Sequence, residues 1–240
     1  MRERSPGSVG ATVYAIYKTA AITLPTFAEA MLGRLSVASA DRRLADWSRG
    51  IVRHADVDLT VEGLARVPRD RACVYMSNHQ SNFDIPILYS VFPGTLRMVA
   101  KAELFKVPLW GRAMKAAGFV RVTRSGDRAE ARAAMEECAS AIQRGVNVWI
   151  APEGTRSVDG RIAKFKKGGF ILARDTGADI VPVAIDGSRR ILPKNTTVIQ
   201  RGARVRVTFG APVSVGTREL NAVMAEVRQF IVGHVTEPAD

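Results

Sequence analysis

The chain has 240 residues, 47% of them hydrophobic and 24% charged, a balance that supports one substantial core and excludes a disordered chain. Its formal charge is +12 and its isoelectric point about 10.4, which points to an anionic partner: nucleic acid, a membrane surface or an acidic substrate. Cys73, Cys138 and the three histidines fall in no metal-ligand spacing, so no metal is expected, and the cysteines read as buried free thiols of a reducing compartment.

The opening Met-Arg-Glu-Arg-Ser-Pro-Gly shows no cleavable leader pattern. Residues 11–40 are strongly apolar, but Lys18, Pro25, Glu29 and Arg34 interrupt them, whereas a spanning helix needs about 20 apolar residues in a row. Pro25 is expected to break or kink the segment into two short helical pieces. These form either an amphipathic hairpin on an anionic membrane surface or a pair packed on the protein's own core.

Val57, Leu59 and Val61 alternate with polar residues, as in a half-buried strand, and residues 72–76 are a buried strand that delivers the chain into Ser77-Asn78-His79. A helix is expected over 85–92, a strand over 96–100, a helix over 108–117 ended by Gly118, and a strand over 119–123. Residues 127–144 place Ala131, Ala134, Met135, Cys138 and Ile142 on one helical face, with Ser125 as cap and Gly145 as stop. Strands follow at 146–151, 180–185, 197–199 and 204–209, and a helix closes the chain over 217–235. The alternation predicts an α/β fold with a mixed central sheet flanked by helices, preceded by an N-terminal helical segment that is membrane-docking on the first of those two readings. The division is 1–54 for that segment and 55–240 for the catalytic domain.

His79 follows a predicted buried strand, where ligands of α/β sheets bind, and Asp84 lies five residues on. If a helical turn brings the Asp84 carboxylate back, it accepts a proton from one ring nitrogen and leaves the other as a base. No Gly-x-Ser-x-Gly elbow is present, so the base is read as activating a substrate hydroxyl; a structural histidine is the alternative. Glu153-Gly154-Thr155-Arg156 follows another buried strand, and Lys166 lies in a basic loop before a helix. Lys101 and Arg124 each follow a strand. Guanidinium, ammonium and hydroxyl groups gathered at strand ends suit a phosphate; each cation alone is equally well a solvated surface residue. Residues 97–170 carry 15 lysines and arginines against 7 acidic residues, so the positive charge concentrates around these motifs. With only 7% aromatics and no nucleic-acid-binding signature, nucleic acid is not expected as a partner.

Taken together, these segments resemble the glycerolipid acyltransferase family, in particular its bacterial 1-acyl-sn-glycerol-3-phosphate (lysophosphatidic acid) acyltransferases, over roughly residues 56–212. The matching blocks are Asn78-His79 with Asp84 (the HX4D motif), Gly118 to Arg124, Glu153 to Arg156, and Val181-Pro182-Val183-Ala184-Ile185. The second block departs from the family pattern, with Arg121 where an aromatic residue is usual. The resemblance implies that His79 deprotonates the sn-2 hydroxyl of a lysophosphatidic acid and that Asp84 orients His79. The hydroxyl then attacks an acyl-CoA or acyl carrier protein thioester, giving phosphatidic acid. Lys101, Arg124, Arg156 and Lys166 would hold the phosphate, Glu153, Gly154 and Thr155 would shape that pocket, and Asn78 would support it. No cofactor is implied, because the thioester is already activated. Other lysophospholipids, glycerol 3-phosphate or a lyso-aminolipid remain alternative acceptors, and acyl hydrolysis or a non-catalytic membrane-binding role are rival functions. The implied location is the cytoplasmic face of the inner membrane, peripheral or monotopic.

Overall fold

The computed structural model describes residues 7–122 and 128–236. Its centre is a seven-stranded sheet built from β2 (Asp58–Glu62), β3 (Val74–Ser77), β4 (Leu96–Lys101), β5 (Val120–Val122), β6 (Asn147–Ile150), β7 (Ile180–Asp186) and β9 (Arg204–Phe209). The spatial order is β2-β9-β7-β3-β6-β4-β5. β7, β3, β6, β4 and β5 run parallel, while β9 is antiparallel to β7 and carries β2 parallel beside it. The sheet is therefore mixed, as the sequence predicts. The ends of β3, β4, β5, β6 and β7 all open onto one edge.

Alternation along the strands divides the core into two faces. Tyr75, Trp149, Val181, Val183 and Ile185 point to one, with side chains of α2 (Val37–His54), α3 (Asp84–Val91) and α4 (Trp110–Ala116). Val74, Met76, Val148, Ile180 and Ala184 point to the other, covered by α5 (Arg128–Gln143), α6 (Gly168–Thr176) and α7 (Leu220–Gly233). A run such as Val74-Tyr75-Met76 is apolar at every position because both faces are covered.

Pro25 does not break the N-terminal segment: α1 runs unbroken from Val9 to Met31 with Pro25 inside it, and the turn to α2 comes at residues 32–36. A proline inside a helix costs about 3 kcal/mol, and tertiary contacts beyond it oppose that cost. Thr26 is buried and Glu29 pairs with Arg43 of α2. Gly33, at φ +64, and the Ser36–Ser39 capping box then start α2. Ala40, Ile51 and Val52 of α2 join the same core as Tyr75 and Leu88, and Asp41 of α2 accepts from Thr95 and the buried Arg97. The strand expected at 197–199 is Ile199–Gln200 (β8), which lies outside the main sheet and pairs antiparallel with β1 (Gly7–Ser8). Among the described residues, no helix is long and apolar enough to cross a membrane.

Candidate active site

Asp84 is the first residue of α3, and its carboxylate turns back over the preceding loop. One oxygen, Oδ2, accepts the backbone N–H groups of Gln80 (2.9 Å) and Ser81 (3.0 Å) and lies 2.7 Å from His79 Nδ1. The backbone groups can only donate, so Oδ2 serves as an acceptor, and the same oxygen favours the His79 tautomer with its proton on Nδ1. That leaves Nε2 unprotonated. Asp84 is fully buried while the His79 side chain is 17% exposed, so the pair presents an imidazole to the outside and hides its carboxylate. The five-residue spacing works because residues 81–83 make a tight turn into the helix.

The loops around His79 are fixed by hydrogen bonds. Asn78 uses both ends of its amide on Ile185, donating to its carbonyl and accepting from its N–H at 2.8 Å each, which clamps the end of β3 to β7. The His79 N–H donates to Glu153 Oε1 and the His79 carbonyl accepts from the N–H of Ser157. Gln80 donates to the carbonyl of Gly160. The turn after β6 thus wraps the histidine directly.

Neither serine beside the pair is placed as a nucleophile. Ser77 is fully buried; its hydroxyl donates to the Asn78 carbonyl and accepts from Trp149 Nε1. The Ser81 hydroxyl donates to the Leu192 carbonyl and accepts the Phe83 N–H.

Glu153, expected to shape the phosphate pocket, directs its carboxylate at backbone groups. It is buried, and its second oxygen accepts the N–H of Ala163, so both oxygens are spent on backbone donors. Burial pushes its carboxyl up from the ordinary value, against the lowering effect of those two bonds. It is a brace between two loops.

Gly154, at φ +71, turns the chain under Lys166: a Cβ there would sit 2.8 Å from Lys166 Nζ. Ile162 and Phe165 anchor the loop in the core, which leaves Lys164, Lys166 and Lys167 exposed. The Lys166 N–H closes the loop onto the Pro152 carbonyl. Gly169 lets the start of α6 approach Met76 and Ile150 at the ends of β3 and β6. Thr155 is exposed and Arg156 half-buried on the same turn. Lys101 ends β4, two strand positions from β3, and its ammonium pairs with Glu103 at 3.1 Å. Strand spacing puts that end roughly 10 Å across the sheet from the end of β3. Arg121 is exposed, on the face of β5 away from Val120. Arg124 and Ser125 lie outside the described residues.

Sequence reasoning did not select Lys194, whose ammonium donates to the Arg156 carbonyl at 2.8 Å and so fixes that turn from 38 residues away. It also missed Ser157, Gln80 and Trp149. None sits in a pattern that marks it; only the fold brings them to the loop.

A sequence model of the acyltransferase family matches residues 58–186, more than half of the chain and all of the His79 and Glu153 loops. A chloroplast 1-acyl-sn-glycerol-3-phosphate acyltransferase of Brassica napus is 36% identical over 154 residues, 64% of this chain and 44% of that protein. The Pseudomonas aeruginosa protein of the same description is 32% identical over 142 residues, 59% of this chain and 54% of that one. The chain thus spans about half the length of these curated relatives. The crystal structure of the lysophosphatidic acid acyltransferase PlsC from Thermotoga maritima superposes with a TM-score of 0.76 at 26% identity, covering 92% of this chain and 91% of that one.

Proposed function

The chain belongs to the acyltransferase family, and we propose that it transfers an acyl group from acyl-CoA or acyl carrier protein to the sn-2 hydroxyl of 1-acyl-sn-glycerol 3-phosphate, giving phosphatidic acid. The observation that carries this reading is the 2.7 Å contact of His79 Nδ1 with the buried Asp84, which leaves Nε2 as a base facing outward. Nε2 takes the proton of the acceptor hydroxyl as its oxygen bonds to the thioester carbonyl carbon. The tetrahedral intermediate then expels the thiolate, which takes the proton back from the imidazolium. Asp84 stabilises the imidazolium and keeps its orientation. With Ser77 and Ser81 both committed to structural bonds, the attacking oxygen comes from the acceptor, and transfer is direct.

Lys166 above the Gly154 turn, Arg156 beside it and Lys101 at the neighbouring strand end supply cations for the acceptor's phosphate, with Thr155 offering a hydroxyl. The reaction needs no cofactor, because the thioester is already activated. The names of the relatives favour lysophosphatidic acid among the possible acceptors.

The acceptor is a lipid, and α1 offers a surface for it. Val9, Val13, Ile16, Tyr17, Leu24 and Met31 are all exposed and fall along one side of the helix. This stripe docks α1 on the cytoplasmic leaflet, a monotopic attachment. The test of the activity is an acceptor panel with purified protein and both donors. Acyl transfer to lysophosphatidic acid above all other acceptors is expected, whereas acceptor-independent release of fatty acid would make the enzyme a hydrolase.

A further inference from the structure

A cavity of about 430 Å³ lies between α1 and α2, away from His79, lined by Tyr14, Lys18, Asp46, Arg49, Gly50, Arg53, His54 and Arg201. Its volume falls within the roughly 300–1,000 Å³ range of small-molecule sites. Four cationic side chains line it against one carboxylate, and that carboxylate is taken: Asp46 pairs with Arg49 at 2.8 Å. Lys18, Arg53 and Arg201 form no ion pair among the described residues. Arg53 complements the negative end of the α2 dipole, which explains its presence alone. Lys18 and Arg201 come from other elements and converge on the same space.

The cavity is held open by packing. Gly50 lies inside α2, four residues before its end, where glycine is less favourable than alanine. A Cβ there would lie 3.1 Å from Lys18 Cε and 3.2 Å from the Tyr14 hydroxyl, so the missing side chain is what lets both residues lie against α2. The Tyr14 ring stacks on His54 at 4.0 Å between centroids, forming a wall. Arg201 is kept at the end of α2 because the N–H of Gly202 donates to the Ala55 carbonyl at 3.1 Å.

Position along the sheet ties the cavity to the lipid-facing side. Asp58 opposite Arg204, and Asp186 opposite Arg206, place the end of α2 at the sheet edge where β7 and β3 finish, the edge that carries His79. On α1, the Tyr14 ring lies 6.5 Å from that of Tyr17 in the exposed stripe, and Lys18 follows one turn on, on the side turned toward α2.

We infer that this cavity binds the phosphoryl headgroup of an anionic phospholipid in the leaflet on which α1 lies, a second phosphate site distinct from that at Gly154. The identification of the ligand as a membrane lipid rests on the docking proposed for α1. It gives the enzyme a preference for membrane regions that hold anionic lipid.

The experiment is cosedimentation of the full chain with vesicles of phosphatidylcholine alone or with phosphatidic acid added. Phosphatidic acid should strengthen binding. Lys18→Met with Arg53→Gln should remove that gain, weakening binding to the mixed vesicles by about tenfold or more at roughly 1 kcal/mol per basic residue. Gly50→Ala, which changes no charge, should weaken it too, by displacing Lys18 and Tyr14. Arg132→Gln with Arg174→Gln, the same charge loss on α5 and α6, should leave it unchanged. Equal losses in both double variants would reduce the effect to diffuse charge and overturn the site. Displacement by inorganic phosphate or coenzyme A at matched concentration would assign the cavity to a soluble anion instead. Ile16→Ser with Leu24→Ser should abolish binding to neutral vesicles if α1 docks through its stripe. If the wild type binds no vesicle, the docking reading fails. Titration with soluble short-chain phosphatidic acid then decides the site, the product site at Gly154 accounting for one binding event: a second event lost in Lys18→Met/Arg53→Gln upholds it, and a single event unchanged in that variant refutes it.

Discussion

The Glu153 carboxylate accepts the backbone N–H of His79 at 2.9 Å with one oxygen and that of Ala163 at 2.9 Å with the other. An acidic residue in a region otherwise rich in cations is thereby explained without any contact to a ligand, and it holds the base from behind. Glu153→Gln would set an amide N–H₂ against one of those two donors. A stability loss of about 1–3 kcal/mol is expected in urea unfolding, with a partial loss of turnover. Because burial raises the Glu153 pKa in the folded chain, its contribution is most favourable at low pH and is lost as pH rises through the raised value. The stability gap between wild type and Glu153→Gln should therefore narrow as pH rises above about 4.5.

Asp84→Asn replaces the acceptor that fixes the His79 tautomer. The amide oxygen can take the place of Oδ2 and accept the same three bonds, but it carries no charge to stabilise the imidazolium, and its N–H₂ falls where the buried Oδ1 has no partner among the described residues. The expected result is a fall in kcat of about 10²-fold or more with a smaller change in acceptor KM. An equal rise in KM with kcat unchanged would remove Asp84 from the chemistry.

Arg156→Ala should raise the KM for the phosphate-bearing acceptor and leave that for the acyl donor near its wild-type value. Lys194→Met removes the ammonium that grips the Arg156 carbonyl, so it should shift the same constant in the same direction by less. A donor-only effect in both variants would move the phosphate pocket elsewhere.

Cys73 and Cys138 are fully buried, and burial pushes their thiols up to about 11 and about 12. Both should fail to react with a thiol reagent at pH 8 in the folded protein and react fully in denaturant. Rapid labelling of either thiol in the native state would contradict the packing on that side of the sheet.

Much of the fold is written in local pattern. Val74 to Met76 is unbroken apolar sequence because both sheet faces are covered, and Ala134, Cys138 and Ile142 repeat at helical spacing because α5 covers one of them. His79 and Asp84 were legible for the same reason: a strand end and a helix start bring five residues into one turn. Pro25 was misleading because helix propensity is local, whereas Glu29–Arg43 and the buried Thr26 hold the helix from outside it. Glu153 resisted reading from sequence alone, since a carboxylate beside Thr155 and Arg156 gives no sign that both its oxygens face backbone. Lys194 and Gly50 lay beyond reach, because each acts on a residue 30 or more positions away.

Acyl transfer from an acyl-CoA to lysophosphatidic acid, followed by release of the free thiol, tests the role of His79 most directly when wild type and His79→Ala are compared at matched folding. Removal of the base should lower the rate by about 10²–10⁴-fold while far-UV circular dichroism stays unchanged. A folded His79→Ala protein that transfers acyl groups at the wild-type rate would contradict the account.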